Sequence, residues 1–213
     1  VVLSHENVLA NLRGIGAAVE MRPADAVVTW LPLYSDVGLI GCWLLSLYYA
    51  IPITVLSPLD FLKQPERWLR AIHESRGTLS AAPNFAYDLC TRRIPAYQIE
   101  GIDLSCWRVA VNAGEPVLAK TMERFAERFR SFGFRAESLL PCYGLAESTV
   151  ALTMPPVERL PVRDWVKREP FETRGFAERA HPGDPDALCF YSCGRPIEGQ
   201  EIRVTGEDYQ ELP

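Results

Sequence analysis

The sequence has no cationic surplus, no paired metal-binding cysteines and few histidines. Lys and Arg number 22 against 27 Asp and Glu, a net charge of -5. A nucleic-acid binder needs a basic patch, and small clusters such as Arg92-Arg93 do not supply one. The three histidines are scattered: His5 and His73 sit in ordinary helical sequence and His181 in a polar stretch. No His, Ser or Cys arrangement therefore points to covalent catalysis. Of the six cysteines only Cys189 and Cys193 are close, with no second pair or histidine at zinc spacing. Free, mostly buried thiols suit a reducing compartment, so a cytoplasmic location is expected. No signal-peptide pattern stands at the start. No G-x-G-x-x-G follows an expected strand, which argues against a Rossmann redox domain.

Long charge-free runs are also scarce, with one exception. Val37 to Leu56 carries no charged residue and is long enough to span a bilayer. Pro52 interrupts it, and Ile51, Ile53, Thr54 and Val55 are β-branched residues that suit a strand. A buried helix followed by a buried strand is the reading adopted, with no membrane span. Hydrophobic residues make up 48% and charged residues 23% of the 213, an ordinary globular composition. That length fits one large domain, or one domain and part of another. The chain opens on Val1, not Met, and closes on a polar turn, so it reads as a piece of something longer.

The patterns predict strands and helices in alternation. Ser4 can cap a helix whose apolar positions are Val8, Leu9, Leu12, Ile15 and Val19. Strands are expected over 26–31, 51–56, 78–82, 107–111 and 138–140. Helices are expected over 37–50, from Pro65 through Ile72, over 85–93 and over 118–132. Five such alternations imply an α/β fold: a three-layer sandwich with a mostly parallel sheet, its strands apolar because both faces are buried. This subdomain covers residues 1–152. Residues 153–186 are rich in Pro, Arg, Glu and Asp and read as a polar insertion with a short helix near 171–179. From 187 to 213 the apolar signal returns, with strands expected over 188–192 and 200–204 as the start of a small β-rich subdomain.

Three expected strand ends carry loops with polar or special residues, and in a parallel sheet these fall on one edge. The first is Pro32-Leu33-Tyr34-Ser35-Asp36-Val37-Gly38-Leu39-Ile40-Gly41. Asp36 there suits a helix cap first and a ligand site second, and Tyr34 suits packing as well as binding. The second is Asn112-Ala113-Gly114-Glu115-Pro116, whose small residues would let a flat base approach the backbone, or simply make a strand-to-helix turn. The third is Pro141-Cys142-Tyr143-Gly144-Leu145-Ala146-Glu147-Ser148-Thr149. It offers a ring for a base, hydroxyls for phosphates and one carboxylate. A single carboxylate suits magnesium held together with phosphate oxygens. The plain alternative is a Tyr-Gly turn closing a strand, with Glu147 solvated.

These segments resemble motifs of the adenylate-forming enzymes. Tyr143 to Thr149 is similar to their adenine- and magnesium-binding motif, Asn112 to Pro116 to their adenine-side loop, and Leu31 to Ile40 to their carboxylate-side motif. Within that group the chain resembles the fatty-acyl-AMP ligases, through Ala81-Ala82-Pro83-Asn84-Phe85-Ala86-Tyr87-Asp88-Leu89-Cys90 and Ser57-Pro58 with Phe61-Leu62. Residues 153–186 stand where those ligases carry an insertion. Ser192-Cys193-Gly194-Arg195-Pro196 resembles the return to the common fold. The resemblance implies ATP, AMP and Mg as cofactors. A fatty acid would become an acyl-adenylate and then pass to an acyl carrier protein or a polyketide synthase module. It implies that Tyr143 stacks on adenine opposite Asn112, Ala113, Gly114, Glu115 and Pro116. Glu147 would hold magnesium, and Gly144, Leu145, Ala146, Ser148 and Thr149 would surround the nucleotide. Asp36, Ile40, Gly41, Asn84, Phe85 and Tyr87 would face the acyl substrate. The family has His where this chain has Ser35, which keeps a donor and loses the imidazole's reach. The phosphate loop would precede Val1, and the ribose-binding Asp and catalytic Lys would follow Pro213. The expectation is thus a piece inactive by itself. The rival expectations for the whole protein are a fatty-acyl-CoA synthetase and a degenerate nucleotide-binding or protein-docking module.

Overall fold

Both faces of one parallel sheet are buried, and they are buried by different chemistry. The computed structural model describes residues 1–212. Strands β1 (Val27–Thr29), β2 (Ile53–Val55), β3 (Leu79–Ala82), β4 (Val109–Asn112) and β5 (Leu139–Pro141) form a five-stranded sheet in the order β2-β1-β3-β4-β5. Every pairing in it is parallel. Alternate residues of each strand point to opposite faces. Val27, Leu79, Val109 and Leu140 join an aliphatic core with Leu12, Ile15 and Val19 of helix α1 (His5–Ala18). Val28, Ala82, Ala110 and Leu139 join an aromatic core on the other side. That core is filled from α3 (Pro58–Lys63), α4 (Glu66–Glu74), α5 (Asn84–Arg93) and α6 (Ala119–Phe129). The result is the expected three-layer α/β sandwich, and it explains why the inner strands are apolar at successive positions. The edge strand β2 departs from the expectation of a buried strand: none of its residues is buried and Val55 is exposed, because only one neighbour flanks it.

The aromatic layer is locked at its polar tips. Trp68 packs edge-on against Trp107 at 5.1 Å between centroids, and Tyr87 against Phe125 at 5.0 Å. Trp68 Nε1 donates to Ser80 Oγ (2.8 Å), Trp107 Nε1 to Val109 O (2.9 Å) and Tyr87 Oη to Val111 O (2.7 Å). These three rings thus bury area without stranding a donor, whereas Trp30, stacked on Phe61 in the same layer, leaves its buried Nε1 without a partner among the described residues. On the opposite layer the Ser4–Asn7 capping box starts α1.

Several elements differ from the expectation. The helix expected over 37–50 begins as a π-helix, Val37–Leu44, and becomes α2 only at Leu45–Tyr49. Its first turn is pinned to the preceding loop: a Cβ on Gly38 would lie 2.2 Å from Pro32 O. The short helix α3 was not anticipated, because six residues carry too little periodicity. Within 153–186, β7 (Arg163–Lys167) pairs antiparallel with β8 (Ala187–Tyr191). Arg163, Asp164 and Lys167 mask that strand in the sequence, for only Val166 is buried. The helix expected near 171–179 lies earlier, as α7 (Arg168–Arg174), ended by Gly175 at φ +64°. No strand forms over 200–204, where residues 201–204 are exposed. The return pairing is made instead by β9 (Arg195–Pro196) on β6 (Thr153–Met154). Among the described residues no helix is long and apolar enough to cross a membrane, and all six cysteines are free.

The amino edge of the sheet is closed by one buried ion pair. Arg108, just before β4, donates to both Asp25 oxygens (2.9 and 2.5 Å) and to Val19 O and Glu20 O. Asp25 also accepts from Thr78 Oγ1 and from Arg22 N. Burial alone would raise the Asp25 carboxyl; these hydrogen bonds and the Arg108 charge outweigh it and hold the group below its ordinary 3.8. A depressed carboxyl stabilises the fold above its unfolded value and ceases to do so as pH falls through the folded one. Arg108→Met should therefore cost about 3–5 kcal/mol at pH 7 in urea unfolding. The gap to the unmodified chain should narrow towards pH 3. An equal gap at both pH values would show that ionisation of Asp25 is not what the pair depends on.

Candidate active site

The carboxyl ends of β1, β3, β4 and β5 send four loops to one edge, across the place where the chain runs to β2 on one side and to β3 on the other. Such switch points are where open α/β sheets hold ligands. Between these loops lies a cavity of about 90 Å³, with Asp36, Val37 and Gly41 on one wall and Tyr143, Gly144 and Val150 on the other. Ala81, Val111 and Ala113 form its floor, and it shares them with a neighbouring space of about 200 Å³ that reaches Pro83 and Gly114. A smaller apolar space of about 40 Å³ continues beneath Gly41 towards Leu45, Val109 and Met154.

The β5 loop is the most constrained of the four. Tyr143 pairs with Thr153 through both backbone directions (3.2 and 2.9 Å), closing residues 143–153 into a tight lobe. A Cβ on Gly144 would stand 1.8 Å from Val150 O, so only glycine fits. Leu145 and Ala146 lead into a single turn over Ala146–Ser148, and Ser148 Oγ donates back to Leu145 O (3.0 Å). Thr149 is buried at φ +78°, ψ -66°, a rare and strained conformation for a β-branched residue. The Tyr143 ring remains half exposed at the mouth of the cavity. Glu147 is exposed, and its carboxylate takes part in none of the ion pairs among the described residues.

The other named residues divide between the cavity and the frame around it. Ser35 Oγ donates to Pro32 O (3.0 Å) and accepts from Gly38 N (3.1 Å), so its hydroxyl ties its own loop to the π-helix. Asp36 accepts from Val37 N (2.8 Å) and also lines the cavity. Asn84 is buried and accepts from Leu118 N (3.0 Å) and Asn112 Nδ2 (3.3 Å). Glu115 accepts from Phe85 N (2.5 Å), joining the β4 loop to the start of α5. Gly114 and Pro116 are exposed on that loop. Asn84, Phe85 and Glu115 line a separate, polar cleft of about 350 Å³ with Lys120 and Arg124. Ile40 is in the aliphatic core and Tyr87 in the aromatic core, away from the cavity walls. The two nearby thiols are poor nucleophiles: burial pushes Cys42 up to about 11 and raises Cys142 well above its ordinary value.

One residue of the site goes unnoticed in the sequence. Asn11 of α1 is buried against the β5 loop and hydrogen-bonds its backbone. The signal was present: Asn11 lies three residues after Val8, on the stripe that buries Leu12 and Ile15, where a polar side chain needs a partner.

Residues 1–213 match the model of a family described as AMP-binding enzyme. The chain belongs to the AMP-binding enzyme family. It is 37% identical over 207 residues to the medium-chain-fatty-acid–[acyl-carrier-protein] ligase JamA of Moorena producens, covering 96% of this chain and 35% of that protein. It is 40% identical over 153 residues to the ligase TtuA of Teredinibacter turnerae, of the same description, covering 72% and 24%. The fold matches the fatty acyl-adenylate ligase of Legionella pneumophila, solved in complex with acyl adenylate and pyrophosphate. That match has a TM-score of 0.92 and 39% identity over 98% of this chain and 36% of the other. The chain thus spans between a quarter and about a third of the curated relatives it matches.

The contact at Gly144 gives a direct test of the loop. Gly144→Ala must push Val150 away, at about 1–3 kcal/mol. Amide exchange over residues 145–151 should accelerate while the amides of β1, β3 and β4 keep their protection. Unchanged exchange over 145–151 would contradict the close packing.

Proposed function

We propose that this chain is part of an ATP-dependent ligase that activates a fatty acid as its acyl-adenylate and hands the acyl group to a carrier-protein thiol. The observation that carries this reading is Tyr143 at the mouth of a cavity that continues into aliphatic surroundings, with the Glu147 carboxylate, unpaired among the described residues, four residues on in the same closely packed loop. The polar end and the apolar end of that space suit the two ends of an acyl-adenylate.

In the first step a carboxylate oxygen of the fatty acid attacks the α-phosphorus of ATP. A new P–O bond forms, the bond to the β,γ-phosphates breaks, and pyrophosphate leaves. Tyr143 offers its half-exposed face to the adenine, and a stacking ring gives affinity without fixing a protonation state. Asn112, Ala113, Gly114, Glu115 and Pro116 supply the opposite wall, with Glu115 held by Phe85 N. Ser148 and Thr149 follow Glu147 on the same turn and would lie nearest the phosphates. Among the described residues no group of three or more His, Cys, Asp or Glu could hold a metal unaided. The donor set at Glu147 is therefore one free carboxylate, which fits magnesium completed by phosphate oxygens and water. Bound there, magnesium would offset the charge that develops on the phosphates. In the second step the carrier's phosphopantetheine thiol attacks the acyl carbon, a thioester forms and AMP departs.

The carboxylate side is read through Ser35, Asp36 and Gly41, with Asn84 and Phe85 on the neighbouring cleft. Ser35 already binds its own loop, so its role is to hold that loop in shape beside the acyl carboxylate. Tyr87 and Ile40 support the acyl wall from the core behind it. The packing of residues 153–186 favours a carrier-protein acceptor over CoA. β7 pairs with β8, Arg163 binds Glu123 of α6 (2.7 Å), and Phe190 bridges to Leu118. A segment anchored this way would resist the domain rotation that CoA thioester formation needs. The carrier belongs to a free acyl carrier protein or to a polyketide synthase module, and a cytoplasmic location suits both. The chain by itself is proposed to lack adenylation activity.

Fatty-acid-dependent exchange of pyrophosphate into ATP by the whole protein tests this reading. Glu147→Gln should lower the exchange rate by about 100-fold or more, and Tyr143→Ala should raise the KM for ATP about 10-fold. Absence of exchange with saturated acids of every length from C8 to C18 would overturn the proposal. Gly41→Leu should move the preference towards shorter chains, since a side chain there enters the space shared by the two apolar cavities. An unchanged chain-length profile would place the acyl tail elsewhere.

A further inference from the structure

We infer that Asn11 is a positioning residue for adenylation: from helix α1, packed directly against the loop, it holds the Glu147–Thr149 turn in its strained, ligand-ready shape. This rests on reading that turn as the nucleotide and metal site. Asn11 is 1% exposed, and every hydrogen-bonding group of its amide is engaged. Nδ2 donates to Ala151 O (2.8 Å) and to Ser148 O (3.2 Å), and Oδ1 accepts from Ala151 N (3.1 Å). The two-point pairing with Ala151 imitates a strand partner, although none of these contacts is local: they span 137 to 140 residues.

The three contacts bracket the strain. Ser148 lies before Thr149 and Ala151 two residues after it, and Thr149 at φ +78° is the residue that pays for the turn. Such a conformation persists only where its surroundings over-determine it. The Tyr143–Thr153 pairing fixes the base of the lobe, and Asn11 fixes its far end. Glu147 sits between them with its side chain free, so the direction of its carboxylate follows from the backbone that Asn11 grips. A polar residue that merely satisfied itself in the core would have no reason to span the turn that carries the carboxylate.

The test compares Asn11→Ala and Asn11→Asp in the whole protein. Asp keeps the size and the acceptor for Ala151 N but cannot donate to the two carbonyls. Both variants should lower kcat for pyrophosphate exchange by about 100-fold, the order that a small misplacement of a reacting group produces. The magnesium concentration at half-maximal rate should rise about 10-fold, with the KM for the fatty acid within 2-fold. Amide exchange over 146–151 should accelerate in the same samples. A loss of activity that tracks only the folded fraction, with the magnesium midpoint unmoved, would overturn the inference. So would unchanged exchange over 146–151. If Asn11→Ala does not fold, Asn11→Asp carries the test. If the unmodified protein shows no exchange with any fatty acid, the functional reading fails, while the amide measurement still decides whether Asn11 holds the turn.

Discussion

Burial of both sheet faces is the constraint on which the rest of the structure depends. Once α1 and the π-helix cover one face, and α3 to α6 the other, the sheet has no surface left for a ligand. Only its two edges remain, and a parallel sheet makes those edges unlike. All amino ends gather at one and all carboxyl ends at the other. Loops from distant parts of the sequence are thereby forced into one neighbourhood. Residues 36, 113 and 143 line one cavity because strands β1, β4 and β5 point the same way.

The carboxyl-edge loops are rigid for a local reason: backbone passes too close to backbone to leave slack. Gly38 rests on Pro32 O and Gly144 on Val150 O, while Thr149 is held in a conformation it would not choose. A site that develops charge during reaction gains most from dipoles and side chains that need no rearrangement. The strain at Thr149 is offset by its surroundings: the pairing at Tyr143 and the hydrogen bonds from Asn11 of α1.

The sandwich and its strand positions were legible because burial on both faces writes itself into the sequence as apolar runs separated by helical periods. The three polar loops were legible because strand direction alone puts them together. What was hidden involves long-range partners or short elements. β7 is hidden because its exposed alternate residues are charged, and it exists only through pairing with β8. The strand expected over 200–204 has the right residue types, but among the described residues its only backbone pairing towards the chain end is Leu212 N to Val204 O, beside an isolated bridge at Thr205, which is too little to make a strand. Residues taken by analogy as ligands sorted by backbone contact, which sequence does not encode: Tyr87 donates to Val111 O from inside the core, whereas Glu115 joins two loops at the rim. Asn11 was legible as an anomaly on an apolar stripe, but not the loop it would meet.

Two carboxylates on opposite edges of the same sheet show how position divides stability from chemistry. Asp25 at the amino edge is almost fully buried, bound by Arg108, Thr78 and a backbone amide, and held below its ordinary value. Removing its partner would strand a buried charge, so the pair is fixed for the life of the fold. Glu147 at the carboxyl edge is exposed and forms no ion pair among the described residues. On the proposed reading, a metal–nucleotide complex at Glu147 would break no internal ion pair, which keeps the cost of binding low. The backbone on either side of Glu147 is nonetheless held, by the Tyr143–Thr153 pairing and by Asn11. A carboxylate free of ion pairs, on a turn held by backbone contacts, suits the metal-assisted site proposed above: orientation is set by the fold, and charge is left for a ligand to neutralise.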